Sequence, residues 1–306
     1  MQRVLLTGAA GFVGRHCLAP LLARGYEVHA VSSSGRQLPV ADVIWHTADL
    51  LENAEAERII DVVQPSHLLH LAWDTTPETY RTSSENLSWV GASLRLLRAF
   101  HERGGDRAVF VGSCYEYGWS HETYHESSTP LNPATLYGVC KASLFSVFDR
   151  YVQQHTLSAA WGRFFFLYGP HAPMEKMPGL VISAVERGQS VKCSHGDQVR
   201  DFMFIADAAD ALAALLDSDT QGPVNVASGQ GLRLRDLILA VVDYCGGREL
   251  VEFGAVPAAA NEPPTLVADV QRLREEVRWN ASYDLSSGVR ETVEWWRGHA
   301  GQLAKN

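Results

Sequence analysis

The chain has 306 residues, 26 Lys and Arg against 35 Asp and Glu for a formal net charge of −9, and 46% hydrophobic residues. A chain of this length can bury a large core, and its composition excludes the disordered, collagen-like and coiled-coil classes. The acidic balance leaves no broad basic surface, so we expect no nucleic-acid partner.

The cysteine content and the lack of a long apolar run bear on the location of the protein. The sequence contains five cysteines, Cys17, Cys114, Cys140, Cys193 and Cys245. An odd number without a Cys-x-x-Cys pair argues against a disulfide scaffold and favours a reducing compartment. The first apolar run ends at Thr7-Gly8 without a signal-peptide pattern, and no run reaches the roughly 18 apolar residues that span a bilayer. We therefore expect a cytoplasmic protein with no membrane partner.

Short apolar runs alternate with helical patterns along the first half of the chain. The predicted strands lie, in chain order, at residues 4–6, 27–31, 43–45, 67–72, 108–111 and 161–167. Apolar residues at helical spacing predict helices at residues 12–23, 86–101 and 136–154. Because the strands are almost wholly apolar and alternate with helices, they indicate an α/β, Rossmann-type, doubly wound parallel sheet with helices on both faces.

The alternation ends after Tyr168-Gly169-Pro170. Beyond it, helices are predicted at residues 206–216, 235–245 and 287–297, among short strands and a proline-rich loop. We expect a dinucleotide-binding domain over residues 1–168 and a smaller, mainly substrate-binding C-terminal lobe over residues 169–306. Segment 200–228 is expected to pack back onto the first domain.

A glycine-rich turn follows the first strand and precedes the first helix. It reads Thr7-Gly8-Ala9-Ala10-Gly11-Phe12-Val13-Gly14. Glycines in this context permit a tight turn and a close approach of the backbone to a pyrophosphate, which binds at the positive end of the helix. Gly8, Gly11 and Gly14 therefore predict a dinucleotide site.

Four ordered motifs resemble one family. They are the Gly-x-x-Gly-x-x-Gly turn, Ser113 with Tyr137-Gly-Val-Cys-Lys141, the segment Arg163-Phe-Phe-Phe-Leu-Tyr-Gly-Pro170, and Arg200-Asp201-Phe202. The stretch Glu262-Pro263-Pro264 and the closing Trp295-Trp296-Arg297 also fit. Together they resemble the extended short-chain dehydrogenase/reductases, the NAD(P)-dependent nucleotide-sugar epimerases, dehydratases and ketoreductases. The resemblance covers essentially the whole chain.

The resemblance implies a catalytic set of Ser113, Tyr137 and Lys141. Tyr137 and Lys141 are four residues apart and share one face of a helix. A phenol with an ordinary pKa of about 10 is a poor catalyst at neutral pH, and a neighbouring ammonium and an oxidised nicotinamide lower that pKa. In the family, the lysine also holds the nicotinamide ribose and the serine binds the reacting oxygen.

The end of the second strand bears on the choice of cofactor. NAD-selective proteins usually carry an acidic residue there for the ribose 2′-hydroxyl, whereas this chain has Ser32, Ser33 and Arg36. Hydroxyl and guanidinium groups favour the 2′-phosphate of NADP(H), although a solvated turn remains the alternative and NAD(H) is still open. The further cofactor contacts expected from the family are Phe12, Val13, Asp49, Leu50, Leu71, Ala72, Tyr137 and Lys141.

The reaction predicted from these features is a reduction. Related dehydratases carry an Asp-Glu pair directly after the Ser or Thr, where this chain has Cys114 and Tyr115, so dehydration is disfavoured. A cofactor of the NADP type favours a ketoreductase acting on a 4-keto-6-deoxy nucleotide-diphosphate sugar. The expected substrate contacts are Trp73, Cys114, Tyr115, Phe166, which stands where many relatives have Asn, and Arg200, for the diphosphate.

Two other functions stay open at this point. An NAD-dependent nucleotide-sugar epimerase uses the same Ser-Tyr-Lys set, and a non-catalytic NAD(P)-sensing protein uses the same fold. The pattern His121-Glu-Thr-Tyr-His125 matches a zinc motif but lies in a polar, turn-rich segment, so we expect no metal site. The resemblance also implies a homodimer formed through the helices that contain Asn86 and Tyr137.

Overall fold

The computed structural model describes residues 2–119, 121–258 and 263–299. The strands are β1 (Arg3–Thr7), β2 (Glu27–Ser32), β3 (Val43–Thr47), β4 (His67–His70), β5 (Arg107–Ser113), β6 (Thr123–Tyr124), β7 (Ser158–Phe164), β8 (Phe166–Tyr168), β9 (Val191–Cys193), β10 (Val199–Phe204), β11 (Gly222–Val226), β12 (Gly231–Arg233), β13 (Val251–Phe253) and β14 (Thr265–Ala268). The helices are α1 (Gly14–Ala23), α2 (Glu55–Val63), α3 (Glu85–Glu102), α4 (Leu136–His155), α5 (Gly179–Glu186), α6 (Ile205–Asp217), α7 (Leu234–Cys245), α8 (Gln271–Glu275) and α9 (Leu285–Gly298).

A seven-stranded parallel sheet forms the larger part of the molecule. Its order is β11-β7-β5-β4-β1-β2-β3, so the chain starts in the middle and winds outward to both edges. The strands are apolar because both faces are covered, by α1 and α6 on one side and by α2, α3 and α4 on the other. The predicted α/β, doubly wound Rossmann-type fold is confirmed.

The structure differs from the prediction at the sixth strand and at α2. The expected strand at 161–167 is interrupted at Phe165: β7 stays in the large sheet, whereas β8 pairs with β10 in a second sheet. Helix α2 was not predicted, although its buried residues Ala56, Ile59, Ile60 and Val63 fall at helical spacing.

A smaller lobe forms around β8, β10, β12, β14 and β6, with α5, α7 and α9 packed on one another. Because β6 and β8 precede residue 169, the sheet of this lobe includes segments of the expected first domain. Segment 200–228 divides between the two parts, because β10 stays in the lobe while α6 packs on α1 and β11 pairs with β7. Glu262, part of the stretch that resembles the family, lies outside the described residues. Within the described ranges, no helix is long and apolar enough to cross a membrane.

The segment His121–His125 contains β6, so its two histidines do not have the helical spacing of a zinc motif. His125 Nδ1 lies 3.6 Å from a carboxylate oxygen of Asp269, and the His121 ring packs on Tyr124. No cluster of metal-ligating side chains occurs in the described part of the chain.

A buried ion pair links the ends of β5 and β7. Glu116, in the short 3-10 turn after β5, accepts hydrogen bonds from Arg163 Nε at 2.7 Å and from Trp161 Nε1 at 3.1 Å. The same carboxylate accepts the backbone N–H of Ser113 at 2.8 Å. Both charged side chains are fully buried, so each depends on the other for compensation.

Replacing Arg163 by Met is therefore expected to destabilise the fold by about 3–5 kcal/mol, because it leaves the Glu116 carboxylate buried without its counter-charge. Urea unfolding measures the loss. The control is Arg248→Met, which removes an exposed ion pair with Asp243 and should cost less than about 1 kcal/mol. Equal losses for the two variants would contradict the importance of the buried pair.

Candidate functional site

The glycine turn between β1 and α1 packs tightly against the chain that follows β4. Gly8 has φ +68°, and a Cβ there would lie 2.9 Å from the backbone nitrogen of Ala72. A Cβ on Gly14 would lie 2.2 Å from the carbonyl oxygen of Gly8. Side chains are therefore excluded at both positions, and the start of α1 lies open on a large cavity.

A buried hydrogen-bond network fixes the turn on β4. The Thr7 hydroxyl pairs with His70 Nδ1 at 2.7 Å and accepts the backbone N–H groups of Leu71 and Ala72 at 3.1 and 3.2 Å. The other ring nitrogen of His70 pairs with Ser93 at 2.8 Å. Burial lowers the pKa of His70 to about 3, so the ring is neutral and serves as a structural bridge.

The cavity has a volume of about 850 Å³ and runs from the end of β2, past the glycine turn, to the small lobe. Most of the predicted site residues line it: Gly8, Gly11, Phe12, Val13, Gly14, Ser32, Ser33, Arg36, Leu50, Leu71, Ala72, Trp73, Ser113, Tyr115, Tyr137, Lys141, Phe166 and Arg200. They meet there because the carboxyl ends of parallel strands share one edge of the sheet.

Two predicted contacts are not part of the cavity lining. Asp49 uses its carboxylate locally, accepting the backbone N–H of Leu51 at 3.0 Å. Cys114 is 1% exposed and lies in the core behind the cavity wall. Burial raises the pKa of its thiol to about 12, so this cysteine is an uncharged packing residue.

Ser113, Tyr137 and Lys141 lie together at the centre of the cavity wall. Ser113 ends β5, and Thr135 caps α4 by accepting the backbone N–H of Gly138 at 3.1 Å. Burial is the main cause that raises the pKa of Tyr137, and a hydrogen bond with Ser113 opposes the shift. The phenol is therefore protonated at neutral pH and can donate its proton.

Lys141 is held from two sides. Its ammonium donates to the carbonyl oxygen of Val111 at 2.8 Å and lies 3.7 Å from the centre of the Trp73 ring. The Trp73 indole N–H is itself bound to Asn86 Oδ1 at 2.8 Å. Burial lowers the pKa of Lys141 to about 7, with an opposing contribution from Glu116. Trp73, predicted as a substrate contact, thus contacts the lysine directly.

The small-lobe end of the cavity is aromatic and basic. Arg200 donates to the carbonyl oxygen of Val199 at 2.8 Å, and its guanidinium lies 5.6 Å from the Phe166 ring. Its neighbour Asp201 does not face the same way, because the carboxylate accepts hydrogen bonds from Ser228, Gly229 and Ala268.

Tyr80, Arg81 and Lys176 are among the lining residues at this end that sequence reasoning missed. Arg81 donates to the Tyr115 hydroxyl at 2.6 Å, and Tyr80 packs edge-on against Tyr137 with ring centres 5.1 Å apart. Burial and the charge of Arg81 lower the pKa of Lys176. No periodic pattern marks these loop positions, so the sequence carried no signal for them.

The site fits a dinucleotide on its own geometry. Gly8 and Gly14 have no room for a Cβ, so the backbone of the turn faces the cavity without side chains at the start of α1. The N-terminus of a helix is a binding site for a pyrophosphate. Ser32 and Arg36 line the cavity at the end of β2, and Lys141 lines it beside the end of β5.

Comparisons with known proteins agree with this geometry. A model of the NAD dependent epimerase/dehydratase family matches residues 4–227. UDP-glucuronic acid decarboxylase 1 of Xenopus tropicalis is 26% identical over 100% of this chain and 74% of its own length. CDP-abequose synthase of Salmonella typhimurium is 26% identical over 96% of this chain and 98% of its own. The crystal structure of Thermus thermophilus UDP-glucose 4-epimerase with NAD is 27% identical, covers 97% of this chain and 99% of its own, and superposes with a TM-score of 0.83.

The pKa of Lys141 gives a prediction for stability against pH. Folding lowers this pKa from 10.5 to about 7. Between these pH values the unfolded chain binds more protons than the folded protein, so the free energy of unfolding of wild type rises with pH. Lys141→Met removes the buried charge. The free energy of unfolding of the variant should exceed that of wild type by the largest amount at pH 6. This difference should decrease by about 4 kcal/mol between pH 6 and pH 10.

Urea unfolding of both proteins at several pH values measures the difference. Lys192→Met, at an exposed position, controls for the loss of one positive charge. A Lys141→Met difference that is constant from pH 6 to pH 10 would contradict a strongly lowered pKa.

Proposed function

Since this chain belongs to the NAD dependent epimerase/dehydratase family, we propose that it reduces a keto group, most directly C4, of a 4-keto-6-deoxy nucleotide-diphosphate sugar with NADPH. At the level of the family, the chain is an oxidoreductase of the nucleotide-sugar epimerase, decarboxylase and dehydratase type. Among the reactions of this family, we propose reduction for this chain.

The end of β2 is the observation that carries the proposal. Ser32, Ser33, Ser34 and Arg36 line the cavity there, and the described residues that line this end include no carboxylate. A 2′-phosphate would meet hydroxyl and guanidinium donors instead of a repelling charge. A cofactor of this type supports a reductase that consumes NADPH rather than an enzyme that returns the hydride to its own substrate.

The residues after Ser113 argue against water elimination. Cys114 is buried in the core, and Tyr115 has a phenol in place of a carboxylate. Glu116 is the next residue in the chain, but its carboxylate is engaged in the core with Arg163 and Trp161 and does not line the cavity. The turn after Ser113 therefore contributes no acid pair to the cavity.

The catalytic step follows from the protonation state of Tyr137. Bound NADPH supplies the hydride to the carbonyl carbon. Tyr137, kept protonated by burial, donates its proton to the carbonyl oxygen, while the Ser113 hydroxyl hydrogen-bonds the same oxygen. The phenolate that forms is stabilised by the neighbouring Lys141 ammonium. Trp73 keeps that ammonium in place through its ring face.

The substrate half of the cavity supports a nucleotide-diphosphate sugar. Arg200 is the proposed contact for the diphosphate, and Phe166, Tyr115 and Trp73 provide aromatic surface for the sugar. CDP-abequose synthase, which by its name makes a nucleotide-linked sugar, matches over nearly the full length of both chains. The nucleotide base is left open.

The NAD-dependent epimerase is the second candidate. The same Ser113, Tyr137 and Lys141 set serves both reactions, and UDP-glucose 4-epimerases are among the similar proteins, one of them with NAD bound. A non-catalytic NAD(P)-sensing protein is a weaker candidate, because all three catalytic residues line the cavity. The cytoplasmic location and the absence of nucleic-acid and membrane partners stay predictions.

Absorbance of the reduced nicotinamide tests the reaction directly, with NADPH or NADH and a panel of 4-keto-6-deoxy nucleotide sugars. We expect stoichiometric oxidation with NADPH preferred. Tyr137→Phe should lower the rate by about 100-fold or more, because the proton donor is lost. Tyr151→Phe, on the same helix and outside the cavity, is the control.

Other outcomes identify the alternatives. Interconversion of ordinary nucleotide sugars without net oxidation, with cofactor retained in the purified protein, would show an epimerase. If the Tyr137→Phe variant keeps the full biological activity of wild type, a non-catalytic NAD(P)-sensing function would be favoured.

The homodimer is also part of this proposal. Leu87 on α3 and Val139 and Val147 on α4 expose 61%, 44% and 49% of their surface, an apolar face that pairing of α3 and α4 with a second copy would cover. We expect a dimer in sedimentation equilibrium and a monomer for the Leu87→Glu/Val147→Glu double variant. Val62→Glu, on α2 and 60% exposed, should leave the dimer intact. A wild-type monomer would contradict the proposal.

A further inference from the structure

The connection between β4 and α3 covers one side of the proposed catalytic residues with two aromatic rings. Near its start, the centre of the Trp73 ring lies 3.7 Å from the Lys141 ammonium and 6.2 Å from the centre of the Tyr137 ring. Near its end, Tyr80 packs edge-on against Tyr137 with ring centres 5.1 Å apart. The two rings therefore determine how much water reaches the phenol and the ammonium.

A single buried amide, that of Asn86, ties both ends of this connection together. Asn86 is the second residue of α3 and is 2% exposed. Its Oδ1 accepts the indole N–H of Trp73 at 2.8 Å. Its Nδ2 donates to the carbonyl oxygens of Tyr80 at 2.7 Å and Ser83 at 2.8 Å. The amide oxygen and the amide nitrogen are thus both engaged, one with the start of the connection and the other with its end.

The position of Asn86 means that it can affect the reaction only through other residues. Asn86 does not line the cavity, whereas Trp73 and Tyr80 both do. The Trp73 indole presents its ring face to Lys141 and its N–H to Asn86. Without this acceptor the indole N–H would be left unpaired beside the core, and a buried unpaired donor is costly, so the ring would turn to reach water.

The surroundings of Lys141 show what such a movement would change. Burial is the main cause that lowers the pKa of Lys141 to about 7, and Glu116, in the turn after β5, opposes the shift. His70, at the end of β4, has a pKa of about 3 and is neutral, and Tyr137 lies one turn earlier on α4. Because burial outweighs the nearby charges, the rings that exclude water from Lys141 have the larger influence on its pKa.

We propose that Asn86 is a positioning residue, which holds the Trp73 and Tyr80 rings over the two proposed catalytic side chains and so excludes water from them. The expected effect on turnover rests on the proposed function, whereas the expected effect on Lys141 does not. A positioning role differs from a purely structural one because it changes the properties of atoms that Asn86 does not touch.

NMR titration of the protein labelled with carbon-13 at the ε position of lysine tests the inference without cofactor or sugar. The sequence has four lysines, and Lys141→Met identifies the signal of Lys141. In Asn86→Leu, which has a similar volume but no polar atoms, we expect the pKa of Lys141 to rise from about 7 to about 8 or higher, because water reaches the ammonium.

A second variant breaks only the bond to the indole. Trp73→Phe keeps an aromatic ring and keeps Asn86, but it has no N–H for the amide oxygen to accept. It should move the pKa of Lys141 in the same direction as Asn86→Leu. The double variant should titrate like Asn86→Leu alone, since both changes remove the same bond.

Asn225→Leu is the matched control. Asn225 is another fully buried amide with the same set of bonds, and it does not line the cavity. It accepts one hydroxyl and donates to two backbone carbonyl oxygens, those partners being Tyr117, Tyr124 and Asp269. Its replacement should lower the free energy of unfolding in urea and leave the titration of Lys141 unchanged.

Kinetics provide the second readout. With NADPH and a 4-keto-6-deoxy nucleotide sugar that wild type accepts, Asn86→Leu should lower kcat about 10- to 100-fold through loss of alignment. The pH dependence of kcat should move in the same direction as the titration of Lys141. A raised KM with an unchanged kcat would indicate lost binding only and would overturn the positioning role.

The outcomes separate this inference from the proposed function. If wild type oxidises no NADPH with any of these sugars, the proposed reduction is wrong, and the titration still tests Asn86. If wild type reduces the sugar but Asn86→Leu and Trp73→Phe titrate like wild type, the inference is wrong and the proposed function is unaffected. An equal shift in Asn225→Leu would also overturn the inference, because it would indicate a general loosening of the core.

Discussion

One buried carboxylate, that of Glu116, links the strand that carries Ser113 to the neighbouring strand. It binds the backbone N–H of Ser113, the Trp161 indole and the Arg163 guanidinium, all in the core. Gly112 has no room for a side chain, because a Cβ there would lie 2.0 Å from Glu116 Oε1. The Arg163 guanidinium compensates the negative charge of Glu116, and these hydrogen bonds fix the conformation of the turn after β5.

The position of the catalytic helix depends on the same turn. A Cβ on Gly138 would lie 2.2 Å from the carbonyl oxygen of Tyr115, so α4 packs on the turn with no side chain between them. Tyr137 is therefore brought next to Ser113, and Lys141 lies one helical turn further along. The acid at position 116 stabilises this geometry from within the core, whereas the neighbouring side chain of Tyr115 lines the cavity. The chemistry of the site thus follows from the place of one residue in a short turn.

Much of the fold could be predicted because its signals are local. The glycine turn is recognised from its spacing between a strand and a helix, and the apolar strands and the Tyr137–Lys141 spacing follow from simple periodicity. The strand at 161–167 was predicted as one element because its hydrophobic run is continuous. Only pairing with β10, from a distant part of the chain, divides it at Phe165.

The contacts that complete the site join residues far apart in sequence, and no local pattern reports them. The Trp73 ring lies against Lys141, and Arg81 binds Tyr115, only after the sheet has formed. Sequence reasoning named the proposed reacting groups, Ser113, Tyr137 and Lys141, which line the cavity, since their chemistry restricts the residue types. It missed the residues that hold or surround them, because many side chains can pack or carry a charge.

Deuterium transfer tests the central claim, a net reduction, most directly. The protein is incubated with a 4-keto-6-deoxy nucleotide sugar and NADPH deuterated at the transferable position of the nicotinamide, and the product is examined by mass spectrometry and NMR. We predict one deuterium per product molecule, bound to the carbon that carried the keto group, with an equal amount of oxidised cofactor released. Sugar products without deuterium, formed while the cofactor stays bound and unchanged in amount, would contradict a reductase and indicate internal return of the hydride.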